Sequence, residues 1–181
     1  MSEQVQPAPT RMSDPGAAAL MTFGMALLYV FVVDVLNHHA RGALLYGLLI
    51  AGVYQSIVSL LEHSRGDAYI GNLLGLFGIW LIGYFLLLNA NPEKVATADA
   101  KGWYVLVLLV PVVLLALPAI KKKLVAIELA FLFLFFVILF LGLGFLQPTM
   151  TWLGPATGWA ALCAAMPILY LAYERLMGAV G

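Results

Sequence analysis

A glutamine, a serine and a glutamate recur along an otherwise apolar stretch: Gln55, Ser59 and Glu62 stand at i, i+4 and i+7, with Ser56 beside them. On a helix that spacing gathers all three on one side. Polar groups at membrane depth are costly unless they meet a partner or water, so such a line marks either the wall of a solute path or a polar contact between helices. Both readings of Gln55 stand, while Glu62, at the end of the stretch, is expected at the level of the lipid headgroups. Two more carboxyl groups lie in apolar runs: Asp34, three residues before Asn37, and Glu128, about one turn past Lys121-Lys122-Lys123. Asp34, Glu62 and Glu128 are the candidates for proton coupling, because a charge held away from water favours its neutral form. Each could equally snorkel to the interface or pair with a nearby cation. His38-His39 form a pair without further ligands, and Cys163 is the single cysteine, so neither a metal site nor an internal disulfide is expected. No nucleophile stands beside a base, and there is no phosphate-cradling loop, haem box or zinc spacing. No catalytic residue, cofactor or metal is therefore expected; the chemistry is that of passage.

The elements that must position these residues follow from composition. Of 181 residues, 64% are hydrophobic and 10% charged, against about 45–50% and roughly 25% in soluble domains. So much apolar surface must face lipid, which excludes a soluble enzyme, a nucleic-acid binder and a secreted disulfide scaffold. Net charge is zero, so no basic field invites a nucleic acid. Runs of about 20 apolar residues, the length needed to span a bilayer, fall at about 16–36, 43–61, 69–89, 103–120, 124–146 and 151–173. The expected fold class is thus all-α, a polytopic membrane protein of six transmembrane helices forming one domain over 16–178. Residues 1–15 read as a disordered leader, and the first run is too long for the apolar segment of a signal peptide.

Positive charge in short loops sets orientation. Arg11, Arg65, Lys121, Lys122, Lys123 and Arg175 fall on one side, against Arg41, Lys94 and Lys101 on the other. Both termini are therefore expected in the cytoplasm, with the chain in the inner membrane. Gly71, Gly75 and Gly78 make one small-residue stripe, and Gly154 and Gly158 continue into Ala161, Ala165 and Ala172 as another. Such stripes predict close helix–helix contact, within or between subunits. Pro111, Pro118 and Pro167 each remove a backbone hydrogen bond and predict kinks. No internal repeat is visible, though a three-plus-three arrangement fits six helices.

One stretch resembles the acetate uptake transporter family, the succinate–acetate/proton symporters. It holds Gln55 and Glu62, then Arg65-Gly66-Asp67-Ala68-Tyr69 and Phe77-Gly78-Ile79-Trp80. Leu20-Met21-Thr22-Phe23-Gly24-Met25 and, near the end, Gly158-Trp159 with Ile168-Leu169-Tyr170-Leu171-Ala172 are similar as well. The resemblance implies a hexameric ring of identical six-helix subunits, each with its own path for small monocarboxylates and protons. It also implies a constriction at Phe23, Phe77 and Leu134, with Phe77 replacing the family's tyrosine. Asp14-Pro15 keep part of the family's opening motif, and Asp34 stands where the family has asparagine. The expected path residues are Gln55, Ser59, Asp14, Pro15 and Asn72. Two other functions stay open: a channel for small neutral solutes such as urea, amides or ammonia, and a non-transporting membrane assembly subunit.

Overall fold

The computed structural model describes residues 14–90 and 95–180. Residues 1–13, most of the leader expected at 1–15, lie outside the described residues, as do Arg11 and Lys94 of the charge comparison. Seven α-helices make up six spans: α1 (Pro15–Phe31), α2 (Arg41–Ser64), α3 (Ala68–Asn89), α4 (Ala98–Leu106), α5 (Leu109–Lys122), α6 (Val125–Leu146) and α7 (Leu153–Val180). All six spans are long and apolar enough to cross a membrane, with α4 and α5 together forming the fourth. This is the architecture of a multi-pass membrane protein. No strand occurs among the described residues.

The fourth span is divided because Pro111 has no N–H to offer Val107. The Val107 carbonyl is taken instead by the Val110 N–H at 3.3 Å, and the Leu108 N–H turns to Val105 at 3.1 Å. The interruption thus falls one turn before the proline rather than at it. At the end of α1 the hydrogen-bond register also changes. Residues Val32–Leu36 form a π-turn, closed by the Asn37 N–H on the Val32 carbonyl at 2.7 Å. Such turns swing one side chain out of the helical register, and Asp34 lies within this one.

The α2–α3 corner is built by Gly66, whose φ of 84° places it in the left-handed region that suits glycine. The Gly66 N–H bonds the His63 carbonyl and the Asp67 N–H bonds the Glu62 carbonyl, each at 3.0 Å, closing α2 with a paired carbonyl cap. Beyond the corner α2 and α3 run side by side at backbone contact. A methyl group added to Gly78 would lie 2.9 Å from the Gly52 carbonyl oxygen and 2.6 Å from the Ser56 hydroxyl; one on Gly75 would lie 2.6 Å from the Ser59 hydroxyl. The stripe Gly71, Gly75, Gly78 therefore seats α3 on α2, where small residues let dispersion act between backbones. Gly158 likewise packs on Asp34 and Val35, whereas Gly154 faces open space within the subunit.

Candidate functional site

Helices α1, α3, α6 and α7 line two cavities toward opposite ends of the bundle, and α2 joins them around the second. The first, about 270 Å³, is lined by Leu20 and Phe23 of α1, Leu73 and Phe77 of α3, Leu134 of α6, and Arg175 of α7, among others. The second, about 410 Å³, has Asp34, Arg41, Leu48, Tyr84, Leu141 and Thr157 in its wall. Four helices, α1, α3, α6 and α7, contribute to both, and α2 reaches the second through Arg41, Leu44, Leu45 and Leu48. Phe23, Phe77 and Leu134 are all buried at the inner end of the first cavity, and the two phenylalanine rings close on each other with centroids 5.2 Å apart. The lining of the second cavity begins about two turns further along α1, α3 and α6, at Val30, Tyr84 and Phe140, and buried side chains including Leu27, Leu81 and Ile138 lie between.

The mouth of the first cavity carries a dense cluster of charge. Asp14 caps α1, its Oδ1 accepting from the Gly16 N–H at 2.9 Å, and Pro15 begins the helix without needing a donor partner. Asp67 caps α3 in the same way through the Ile70 N–H at 3.2 Å. Both capping carboxylates converge on the Arg175 guanidinium, at 3.4 Å from Asp14 and 3.0 Å from Asp67. Glu62 stands 3.5 Å from the same guanidinium and 3.9 Å from Arg65, which itself lies 3.8 Å from Asp14. Glu62, in the last turn of α2, is 3% exposed; it is the buried centre of a five-membered ion cluster. Gly16 makes room for it, because a side chain there would run into Arg175 and Glu62.

Gln55 lies between these two ends. It shares a face of α2 with Leu48 and Glu62, seven residues away on either side, and seven residues is close to two full turns. Leu48 lines the second cavity and Glu62 belongs to the charged mouth of the first. The height follows from packing. Gly47 lies on Tyr29 and Gly16 on Glu62; halfway between those contacts stand Phe23 on α1 and Gln55 on α2. The amide is fully buried, and neither its nitrogen nor its oxygen has a hydrogen-bond partner among the described residues.

The remaining expected residues fall elsewhere. Ser59 is buried but donates to the Gly71 carbonyl at 2.7 Å, sealing α2 to α3. Asn72 is exposed on the outer face of α3, 3.1 Å from the ring of His63, whose other nitrogen donates to the Ser59 carbonyl at 2.7 Å. Neither Ser59 nor Asn72 lines the axial cavities; both belong to a groove on the outside of the α2–α3 pair. Glu128 is half-buried in the first turn of α6 and lines neither cavity. Asp34 faces the second cavity together with His38, Arg41 and Tyr84. Arg175 and Tyr84 were not singled out in the sequence as path residues. Arg175 carried a signal, a lone cation closing the last span, but Tyr84 had none beyond being an aromatic in an apolar helix.

A solved structure described as the bacterial acetate channel SatP has the same fold. The two agree with a TM-score of 0.80 over 92% of this chain and 93% of that one, at 20% sequence identity. No family model matches the chain, and no curated protein matches it by sequence.

Proposed function

We propose that this chain is a divergent member of the acetate uptake transporter family and carries acetate or a similar small monocarboxylate across the inner membrane, linked to protons. The observation that carries the reading is a pair of cavities toward opposite ends of one helical bundle, with Phe23, Phe77 and Leu134 buried at the inner end of the first. The likeness in fold to an acetate channel supports it. A waist without charge suits the physics of the cargo: dehydrating a bare carboxylate is prohibitive, whereas a carboxyl group travelling with its proton passes an apolar ring pair at far lower cost. The charged mouth at Arg175 would receive the solute, the rings would gate it, and the Asp34 vestibule would release it or admit it from the other side.

The subunits assemble as a homohexamer in this reading, each with its own conduit, and both termini face the cytoplasm. Arg65, Arg175 and the triplet Lys121–Lys123 support that orientation, since all lie toward the α1 start. Uptake of labelled acetate into proteoliposomes tests the proposal. Uptake above that of protein-free vesicles, accelerated by an inward proton gradient, is expected. Rates equal to protein-free vesicles at every pH would overturn it, and a single-subunit mass in detergent would overturn the hexamer.

A further inference from the structure

The second cavity holds opposite charges that the fold brings together but does not pair. Asp34 comes from the π-turn after α1 and Arg41 opens α2; both line the cavity, with His38 between them in the chain. The fields of His38 and Arg41 reach the Asp34 carboxylate, yet no hydrogen bond or salt bridge joins Asp34 to either cation among the described residues. Tyr84 of α3 lines the same space. Its ring stacks on those of Trp80 and Tyr104, with centroids 5.1 and 6.4 Å away. Those two neighbours satisfy each other: Trp80 Nε1 donates to the Tyr104 carbonyl at 3.4 Å, and the Tyr104 hydroxyl donates to the Trp80 carbonyl at 3.0 Å. Tyr84 is only 6% exposed, and its hydroxyl bonds no described residue. Buried phenol hydroxyls usually find a partner. The charges whose fields reach this one are Asp34 and Arg41.

A carboxylate and a guanidinium left apart in one cavity fit a solute that carries both charges. An anion on Arg41 meets the repulsion of Asp34, and a cation on Asp34 meets that of Arg41. A short chain with an ammonium at one end and a carboxylate at the other answers both with charge-assisted hydrogen bonds. A phenol hydroxyl donates and accepts, so it serves either end. The rest of the wall, Leu44, Leu48, Phe140 and Leu141 among others, is apolar and suits the methylenes, and about 410 Å³ is ample for such a molecule. Passage is another matter. Two charges would have to be stripped of water to move among Leu27, Leu81 and Ile138, which lie buried between the cavities.

We infer that the second cavity is a binding site for short aliphatic amino acids in zwitterionic form, with the ammonium on Asp34, the carboxylate on Arg41 and the Tyr84 hydroxyl between, and that the occupant plugs the path from that side. The site stands on the cavity alone, whereas the plugging rests on the transport reading.

The test uses the full-length protein in detergent and labelled β-alanine, challenged by butyrate and by isopentylamine, each of which keeps its shape and one of its charges. Saturable binding is expected, and either single-charge analogue should need about tenfold or more the concentration of unlabelled β-alanine to displace the label. Asp34→Asn and Arg41→Gln should each weaken binding about tenfold or more, and Tyr84→Phe about fivefold. In proteoliposomes β-alanine should lower labelled acetate uptake without itself accumulating. Absence of saturable binding, displacement by butyrate as effective as by β-alanine, or unchanged binding in Asp34→Asn would overturn the site. Where a variant does not fold, shown by its elution in detergent, displacement on the natural protein decides alone. Bound β-alanine with unimpeded acetate uptake, or β-alanine that accumulates, would overturn the plugging. Absence of acetate uptake above protein-free vesicles would bring down the transport reading, with the site still decided by its binding.

Discussion

The ion cluster at the first mouth gives a prediction whose size follows from its geometry. Arg175 is the common partner of Asp14, Glu62 and Asp67, at 3.4, 3.5 and 3.0 Å. The Glu62 side chain is 4% exposed and that of Arg175 24%, so the pair is more than a surface contact and less than a sealed one. Removing one partner of a fully buried pair costs about 3–5 kcal/mol, and an exposed pair is worth about 0–1. Arg175→Met should fall between, at about 2 kcal/mol, since Glu62 keeps only Arg65 at 3.9 Å. For a chain of this size that is a fall of about 4–8 °C in melting temperature. Most of the loss is the stranded charge on Glu62, so Glu62→Gln in the same molecule should restore half or more of it. Thermal melts of the natural protein, both single variants and the double variant in one detergent make a closed cycle. If the double variant melts at the sum of the two single losses, Glu62 and Arg175 are uncoupled and the account of the mouth is wrong.

Widening the waist by Phe77→Ala should admit longer monocarboxylates and raise their uptake relative to acetate by about tenfold, read from a substrate panel in proteoliposomes; an unchanged panel would mean that the Phe23–Phe77 pair does not limit passage. Gly78→Val should fail to give a stable protein, because the side chain meets the Gly52 carbonyl at the backbone contact of α2 and α3, whereas Gly154→Val, in open space, should melt within about 2 °C of the natural chain if isolated as a single subunit. Tyr69→Phe should cost about 1 kcal/mol, seen as a small drop in melting temperature, by removing the 2.7 Å bond from its hydroxyl to the Leu115 carbonyl that ties α3 to α5.

The six spans were legible because bilayer thickness fixes the length of an apolar run and leaves little else to read. Where local hydrogen bonding departs from that rule, residue types carry less warning. Pro111 announced a disturbance but not its place, since the orphaned Val107 carbonyl could be rescued only by tightening the turn before it. The π-turn at Val32–Leu36 has no compositional signal, being a one-residue shift of partner. Contacts across the chain were beyond reach for a different reason. Arg175 and Asp14 are 161 residues apart, and nothing local relates a cation ending the last helix to a cap beginning the first.

The polar line on α2 was half legible, and the missing half is a matter of angle. A step of four residues on an α-helix overshoots a full turn by about 40°, while a step of seven undershoots two turns by about 20°. Gln55, Ser59 and Glu62 therefore share a broad side but not a single edge. With α3 seated at backbone contact beside α2, that difference assigns Ser59 to the α2–α3 seam, where its hydroxyl bonds the Gly71 carbonyl, and leaves Gln55 and Glu62 turned to the axis. The two axial groups then diverge in what they meet. Glu62 arrives at the end of its helix, where capping acids and two guanidinium groups can gather from separate elements. Gln55 arrives at mid-membrane, where the neighbouring walls at its height are rings and aliphatic chains. The same helical face is thus saturated with partners at its end and, among the described residues, bare of them at its centre.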